Sequence, residues 1–157
     1  MRTWVDASTL IAFDLAGEIG VLRTLIGRAS VTKEVAEEVS TGRESRALRG
    51  ALGSWIEVVE VPGDRRRWMD LGLGRGEASL LLTPVGDRLV LDEVPARTAA
   101  EAEGREYVGL LGLLLAGVRT RALSRPRARE VLRKVVGAGF HLASHLYDGF
   151  LVDLEKE

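Results

Sequence analysis

Short apolar runs alternate with helix-forming segments along most of the chain, and this alternation restricts the fold more than any other feature. Compact strand candidates lie at Thr3–Val5, Arg88–Leu91 and Tyr107–Val108, and two more lie at 29–31 and 55–61. Strands that alternate with helices form parallel sheets, and right-handed crossovers place helices on both faces of such a sheet. The sequence therefore predicts an α/β protein: a three-layer α/β/α sandwich around a mainly parallel central sheet.

The length and composition fit one globular domain. Of the 157 residues, 46% are hydrophobic and 29% are charged, which is too apolar for a disordered chain and too charged for a membrane protein. The longest apolar run, 108–118, is shorter than the roughly 20 residues that span a bilayer. We predict a single domain over 1–157, with residues 119–157 as a C-terminal helical extension. Helices are predicted over 8–16, 18–26, 32–39, 43–52, 75–82, 95–104, 110–115, 126–136 and 142–154.

The chain contains no cysteine, which excludes disulfide bonds, a thiolate zinc site and a cysteine nucleophile. Its first residues do not form the apolar stretch of a secretory leader, because Asp6 and Asp14 would interrupt that stretch. We therefore expect a cytoplasmic protein.

Acidic residues directly follow two of the predicted strands. Asp6 comes after Thr3–Val5, and Asp92 comes after the apolar run that ends at Leu91. If both runs are parallel strands, both carboxylates emerge at the carboxyl edge of one sheet, where open α/β sheets bind their ligands. Taken singly, each aspartate is better explained as a turn or capping residue.

Other acids accompany these two. Glu77 lies near the start of a predicted helix, and Glu34, Glu37 and Glu38 lie on the helix that follows Thr32, with Glu34 and Glu38 on one face. Carboxylates that converge on one cleft repel each other unless a cation lies between them. An all-oxygen set of ligands favours Mg²⁺ or Mn²⁺, ions that activate water and stabilise charge on a phosphate being cleaved. The residues alone therefore indicate a possible metal cleft.

Taken in order, these motifs resemble the PIN-domain family. The segment Val5–Ile11 looks like the family's opening strand, and Val31–Val39 is similar to its second block. The third and fourth blocks resemble Gly74–Ala78 and Leu89–Arg97. The segments 108–114 and 139–142 look like those of a prokaryotic, VapC-like, toxin-related PIN subfamily. The resemblance covers nearly the whole chain.

This resemblance implies a set of site residues. It implies metal ligands at Asp6, Glu77 and Asp92 and a fourth catalytic acid at Glu38, although Glu34 is an open alternative to Glu38. Ser8 would support the metal-bound water or a phosphate oxygen, and Arg97 would contact the scissile strand or pair with a site acid. The third acid of the family's set is Glu77 in this chain, whereas many relatives carry Asp there.

The function that the resemblance implies is that of a Mg²⁺- or Mn²⁺-dependent endoribonuclease. Such enzymes are often the toxin half of a toxin–antitoxin pair and often homodimers, so RNA, an antitoxin and a second copy of the chain are the expected partners. One alternative is a catalytically inactive module that binds nucleic acid or protein. A phosphatase-like hydrolase with Asp6 as nucleophile is disfavoured, because Ser8 stands where such enzymes carry a second Asp.

Two segments predict interactions. Residues 119–134 carry a local charge of +6, which fits either a polyanion partner or a solvated, arginine-rich helix face. The helix 110–115 is apolar all round, which predicts a core helix or a dimer interface.

Three weaker motifs have ordinary explanations. His141 and His145 have the spacing of a zinc pair but lack a third ligand, so we predict a surface or packing role. The glycines of 72–76 lack the context of a phosphate-binding loop and predict a flexible loop. The arginines of 65–67 either contact phosphate or lie in an exposed loop.

Overall fold

The computed structural model describes residues 1–42 and 44–157, and its centre is a five-stranded sheet. The strands are β1 (Thr3–Val5), β2 (Ala29–Thr32), β3 (Ile56–Val59), β4 (Arg88–Val90) and β5 (Tyr107–Val108). They lie in the order β3-β2-β1-β4-β5, and every neighbouring pair is parallel. Helices flank this sheet, so the predicted α/β/α sandwich is confirmed.

The helices match the sequence pattern closely. They are α1 (Ala7–Leu15), α2 (Ile19–Ile26), α3 (Lys33–Ser40), α4 (Arg46–Ala51), α5 (Arg66–Met69), α6 (Arg75–Leu80), α7 (Val94–Ala102), α8 (Leu110–Arg119), α9 (Arg125–Gly137) and α10 (Ser144–Glu155). The predicted helix 43–52 is shorter, since α4 begins at Arg46, and Arg43 itself lies outside the described residues.

One interpretation of the sequence places the arginines of 65–67 in an exposed loop. In the structure, part of this segment is helical. The short helix α5 forms there because Trp68 buries its ring in the core, with 6% of the residue exposed. The Asp64 carboxylate also accepts a hydrogen bond from the Arg66 amide at 2.9 Å. Arg65 is drawn inward as well, because its guanidinium pairs with Glu34 at 3.2 Å.

The sheet order explains where a ligand site can form. From β1 the chain crosses to β2 on one side, whereas β4 and β5 lie on the other side. The strand order thus reverses its direction between β1 and β4. Such a reversal leaves a crevice at the carboxyl ends of these two strands. These strands pair in register, and the amide of Asp6 donates to the carbonyl of Val90 at 3.1 Å. Asp6 and Asp92 therefore emerge side by side.

The helix α8 is mainly a core helix. Leu110, Leu113 and Leu114 are buried, whereas Leu111 and Leu115 are only partly covered. It is also longer than predicted, because Gly117 and Val118 continue its buried face. In the described ranges, no helix has the length and apolar character that crossing a membrane requires.

The cations of the segment 119–134 largely pair with acids of the same chain. Arg127 and Lys134 both bind the buried carboxylate of Glu18, at 2.6 and 2.7 Å. Towards α10, Arg129 pairs with Glu155 at 2.8 Å, and Arg119 at the end of α8 pairs with Glu157 at 2.8 Å. These three acids, Glu18, Glu155 and Glu157, offset half of the local charge of +6, which favours a structural role over a surface for a polyanion.

Candidate active site

A cleft of about 420 Å³ opens at the carboxyl end of β1, between the start of α1, the helix α3 and the start of α6. We call it the acid cleft, because six carboxylates line it: Asp6, Glu34, Glu37, Glu38, Glu77 and Glu93. Among the described residues that line the cleft, Arg75 is the only cation. Its guanidinium lies 3.8 Å from the carboxylate of Glu37 at the rim. The cleft therefore has a strongly negative potential.

Asp6 is the most deeply buried acid of the cleft, with 4% of the residue exposed. One of its oxygens caps α1 by accepting from the Thr9 amide at 2.9 Å, and the other accepts from the Asp92 amide at 3.1 Å. Burial, followed by the negative charge of Asp92, raises the pKa of Asp6 to about 7. This carboxyl therefore titrates near neutrality, as groups at functional sites often do.

Glu77 reaches the cleft from the first turn of α6. Its Oε1 accepts from the Gly74 amide at 3.1 Å and so caps the helix. Burial raises the pKa of Glu77, and the negative charges of Glu93 and Glu38 raise it further. Three carboxylates are therefore close enough to interact.

A glycine lets α3 and α6 approach each other at this point. A Cβ atom on Gly76 would lie 2.9 Å from Oε2 of Glu38 and 3.4 Å from the Val35 side chain. Any larger residue at this position would displace the carboxylate of Glu38 from its place beside α6. The sequence signal for this contact is the glycine directly before Glu77.

The two acids that the sequence left as alternatives have different surroundings. Glu34 is bound by Arg65 at 3.2 Å, and only 11% of its side chain is exposed. Glu38 is exposed and has no ion pair with any of the described residues. Glu38 is thus the acid whose oxygens remain free to face the cleft.

Asp92 does not line the acid cleft, although it follows β4 as predicted. Its Oδ2 accepts from the Thr9 hydroxyl at 2.5 Å, and its Oδ1 accepts from the Leu110 amide at 3.0 Å. Only 7% of its side chain is exposed. The next residue, Glu93, faces the cleft instead and accepts a hydrogen bond from the Ser8 hydroxyl at 3.2 Å.

Glu93 is the site residue that the sequence reasoning missed. Successive residues of extended backbone point in opposite directions, so an acidic pair at the end of a strand places one member on each side. The dipeptide Asp92-Glu93 carried that signal, but nothing in the sequence indicated which member faced the cleft.

A family model described as a PIN domain matches residues 3–156. The chain belongs to the PIN-domain family. The match includes every strand and the acid cleft described above. PIN domains are generally nucleases, and PIN nucleases generally use divalent metal ions. No curated protein and no solved structure matches the chain significantly.

The donors of this PIN domain suit a divalent cation, although they do not already form a cage. Within residues 1–42 and 44–157, no three acidic or histidine side chains are close enough together to hold one ion. The lining groups are nevertheless carboxylates, the ligands that Mg²⁺ and Mn²⁺ prefer. The absence of a side chain at Gly76 leaves room for Glu38 beside the start of α6, so Glu38 and Glu77 line the same cleft. His141 and His145 are exposed.

Arg97 lies against Asp92 on the far side of the PIN-domain cleft. Its Nε donates to the Leu91 carbonyl at 2.9 Å, its Nη2 lies 3.5 Å from Asp92, and its guanidinium stacks over Tyr107 at 5.7 Å. A Cβ atom on Gly109 would lie 2.0 Å from Nη2. Position 109 must therefore be glycine for this arrangement to form.

We expect Gly109→Ala to lower the free energy of unfolding by about 1–3 kcal/mol, because the new methyl group displaces Arg97 from Asp92 and from the Leu91 carbonyl. Urea unfolding at pH 7 measures the change. Gly86→Ala is the matched control, since no atom lies within 4 Å of its added Cβ. Equal stabilities of Gly109→Ala and the parent would contradict this interpretation of Gly109.

Proposed function

We propose that this PIN domain is a Mg²⁺- or Mn²⁺-dependent endoribonuclease that hydrolyses RNA phosphodiester bonds in the acid cleft. The observation that carries the proposal is the convergence of Asp6, Glu38 and Glu77 on one cleft at the switch point of the sheet. The charge of Asp92 helps to raise the pKa of Asp6, and the charges of Glu93 and Glu38 help to raise the pKa of Glu77, so these carboxylates repel their neighbours and are stabilised when a cation binds between them.

The roles of the residues follow from their surroundings. The PIN resemblance implies metal ligands at Asp6, Glu77 and Asp92 and a fourth acid at Glu38. Of these, Asp6, Glu38 and Glu77 line the acid cleft and would hold the cation. When bound, the cation supplies an activated water and neutralises charge that develops on the phosphate. The two amides that bind Asp6 fix its carboxylate at the floor of the cleft. Ser8 orients the neighbouring Glu93.

An RNA cleavage assay tests this function. We expect the purified chain to cut single-stranded RNA when Mg²⁺ or Mn²⁺ is present, and we expect EDTA to stop the reaction. The Asp6→Asn variant, purified in the same way, controls for contaminating ribonuclease. Cleavage that persists in EDTA, or that is equal in both proteins, would contradict the proposal.

The proposal extends to a cytoplasmic, homodimeric toxin of a toxin–antitoxin pair, on the strength of the VapC-like motifs. The partly covered Leu111 and Leu115 of α8 are candidates for the dimer contact. Growth arrest on expression, relieved in Asp6→Asn, is the expected result for a toxin, and continued growth would contradict that role. A monodisperse monomer in sedimentation at micromolar concentration would contradict the dimer.

The alternative of an inactive binding module has less support. It depended on the basic segment 119–134 as a surface for nucleic acid, whereas most cations there pair with acids of the same chain. Metal titration separates the two functions, since an inactive module has no need to bind Mn²⁺ in the acid cleft.

A further inference from the structure

We propose that Glu93 is a cation ligand of the acid cleft and that Asp92 is a positioning residue that joins α1 to α8. This inference rests on the proposed function, because the cation is that of the proposed nuclease. It changes the set of ligands that the PIN resemblance implies, in which Asp92 has the ligand role.

The oxygens of Asp92 are already occupied by protein groups. Oδ1 faces both the Leu110 amide at 3.0 Å and Nη2 of Arg97 at 3.5 Å, and Oδ2 accepts from the Thr9 hydroxyl at 2.5 Å. Asp6 also accepts two hydrogen bonds, but it lines the acid cleft, whereas Asp92 does not line it and lies beside Arg97, whose positive charge opposes the approach of a cation. The same bonds connect the first turn of α1 with the start of α8. Asp92 thus has the surroundings of a structural carboxylate.

Glu93 has the opposite surroundings. It is exposed, it lines the acid cleft, and it accepts one hydrogen bond from Ser8 at 3.2 Å. As the N-cap residue of α7 it has an extended backbone, with φ −91° and ψ 140°. Since Asp92 points inward towards Thr9, the following residue points outward to the cleft.

The charges around Glu93 also favour a ligand role. Glu93 and Glu77 line the same cleft, and the negative charge of Glu93 helps to raise the pKa of Glu77, so the two carboxylates repel each other unless a cation lies between them. The hydroxyl of Ser8, in the first turn of α1, donates a hydrogen bond to one oxygen of Glu93. The side chain is therefore oriented without losing its free oxygen.

Isothermal titration calorimetry of the purified chain with Mn²⁺ at pH 7.5 tests the assignment independently of activity. We expect Glu93→Gln to weaken Mn²⁺ binding by about tenfold or more. Glutamine keeps the size of the side chain and an oxygen for Ser8. The control is Glu37→Gln, which removes the same charge from a rim residue that is 51% exposed, pairs with Arg75 and has no assigned role. We expect this control to change the affinity by less than about threefold.

Asp92→Asn separates positioning from ligation. We expect it to lower the melting temperature by about 3–8 °C, because the neutral side chain accepts weaker hydrogen bonds than the carboxylate and loses the attraction to Arg97. We expect its Mn²⁺ affinity to stay within about threefold of the parent's. If Asp92→Asn fails to fold, the comparison of Glu93→Gln with Glu37→Gln decides alone.

The outcomes are distinguishable. Parent-like Mn²⁺ affinity in Glu93→Gln would overturn the assignment, as would an Asp92→Asn variant that melts like the parent yet loses Mn²⁺ binding. If the parent itself binds no Mn²⁺, the proposed function fails, and this inference fails with it.

Discussion

Asp6→Asn is expected to lower RNA cleavage by about 10³-fold or more and, in the absence of divalent cations, to raise the free energy of unfolding at pH 8. The activity falls because the variant loses the buried charge at the floor of the acid cleft. The stability rises because the same charge is costly when no cation neutralises it.

The sign of the stability change depends on pH. Burial and the nearby charge of Asp92 raise the pKa of Asp6 from 3.8 to about 7, so the folded protein binds this proton more tightly than the unfolded chain. Stability is therefore lost as the pH rises from about 4 to about 7. At 1.36 kcal/mol per pH unit, the loss at pH 8 is about 4 kcal/mol.

The Asp6→Asn variant recovers part of this loss. Asparagine still caps α1 through its oxygen, but its amide group faces the Asp92 amide, which costs about 1–3 kcal/mol. We therefore expect Asp6→Asn to be more stable than the parent by about 1–3 kcal/mol at pH 8 and to differ by less than about 1 kcal/mol from it at pH 5. Urea unfolding in EDTA at both pH values measures this. An Asp6→Asn variant that is less stable than the parent at pH 8 would contradict the account.

Glu18→Gln is expected to lower the free energy of unfolding by about 2–4 kcal/mol at pH 7. Glu18 is 4% exposed at the start of α2, and its oxygens bind Arg127 and Lys134 of α9 at 2.6 and 2.7 Å. Burial disfavours its charge, yet the hydrogen bonds and charges of the two cations hold its pKa below the usual value. The stabilisation is thus present at pH 7 and is lost as the pH falls through that lowered pKa.

Glu130→Gln is the matched control for Glu18→Gln. Glu130 also pairs with Arg127, at 3.3 Å, but 45% of its side chain is exposed. A surface pair of this kind contributes little, so we expect a change of about 0.5 kcal/mol or less. Equal effects of the two substitutions in urea unfolding would show that Glu18 does not anchor α9.

The sequence predicted the sheet and its acidic edge because both depend on local patterns. Compact apolar runs that end in Asp6 and Asp92 defined β1 and β4, and the alternation with helices fixed their parallel direction. The helix α5 was missed because its formation depends on the burial of Trp68 against distant parts of the chain, which a run of arginines conceals.

The orientation of side chains at the site depends on partners that lie far away in the sequence. Asp92 turns from the cleft because Thr9 and Leu110 supply donors from two other segments. The basic segment 119–134 likewise has an ambiguous pattern until its partner Glu18, more than a hundred residues earlier, is known. Spacing along the chain contains no information on either contact.

The most direct test of the central claim is anomalous X-ray scattering from a crystal of the chain soaked in Mn²⁺ at pH 8. The account predicts a manganese peak in the acid cleft, within direct coordination distance of the carboxylates of Asp6 and Glu77. A well-ordered cleft without a peak at millimolar Mn²⁺, or a peak bound only at another surface, would contradict it.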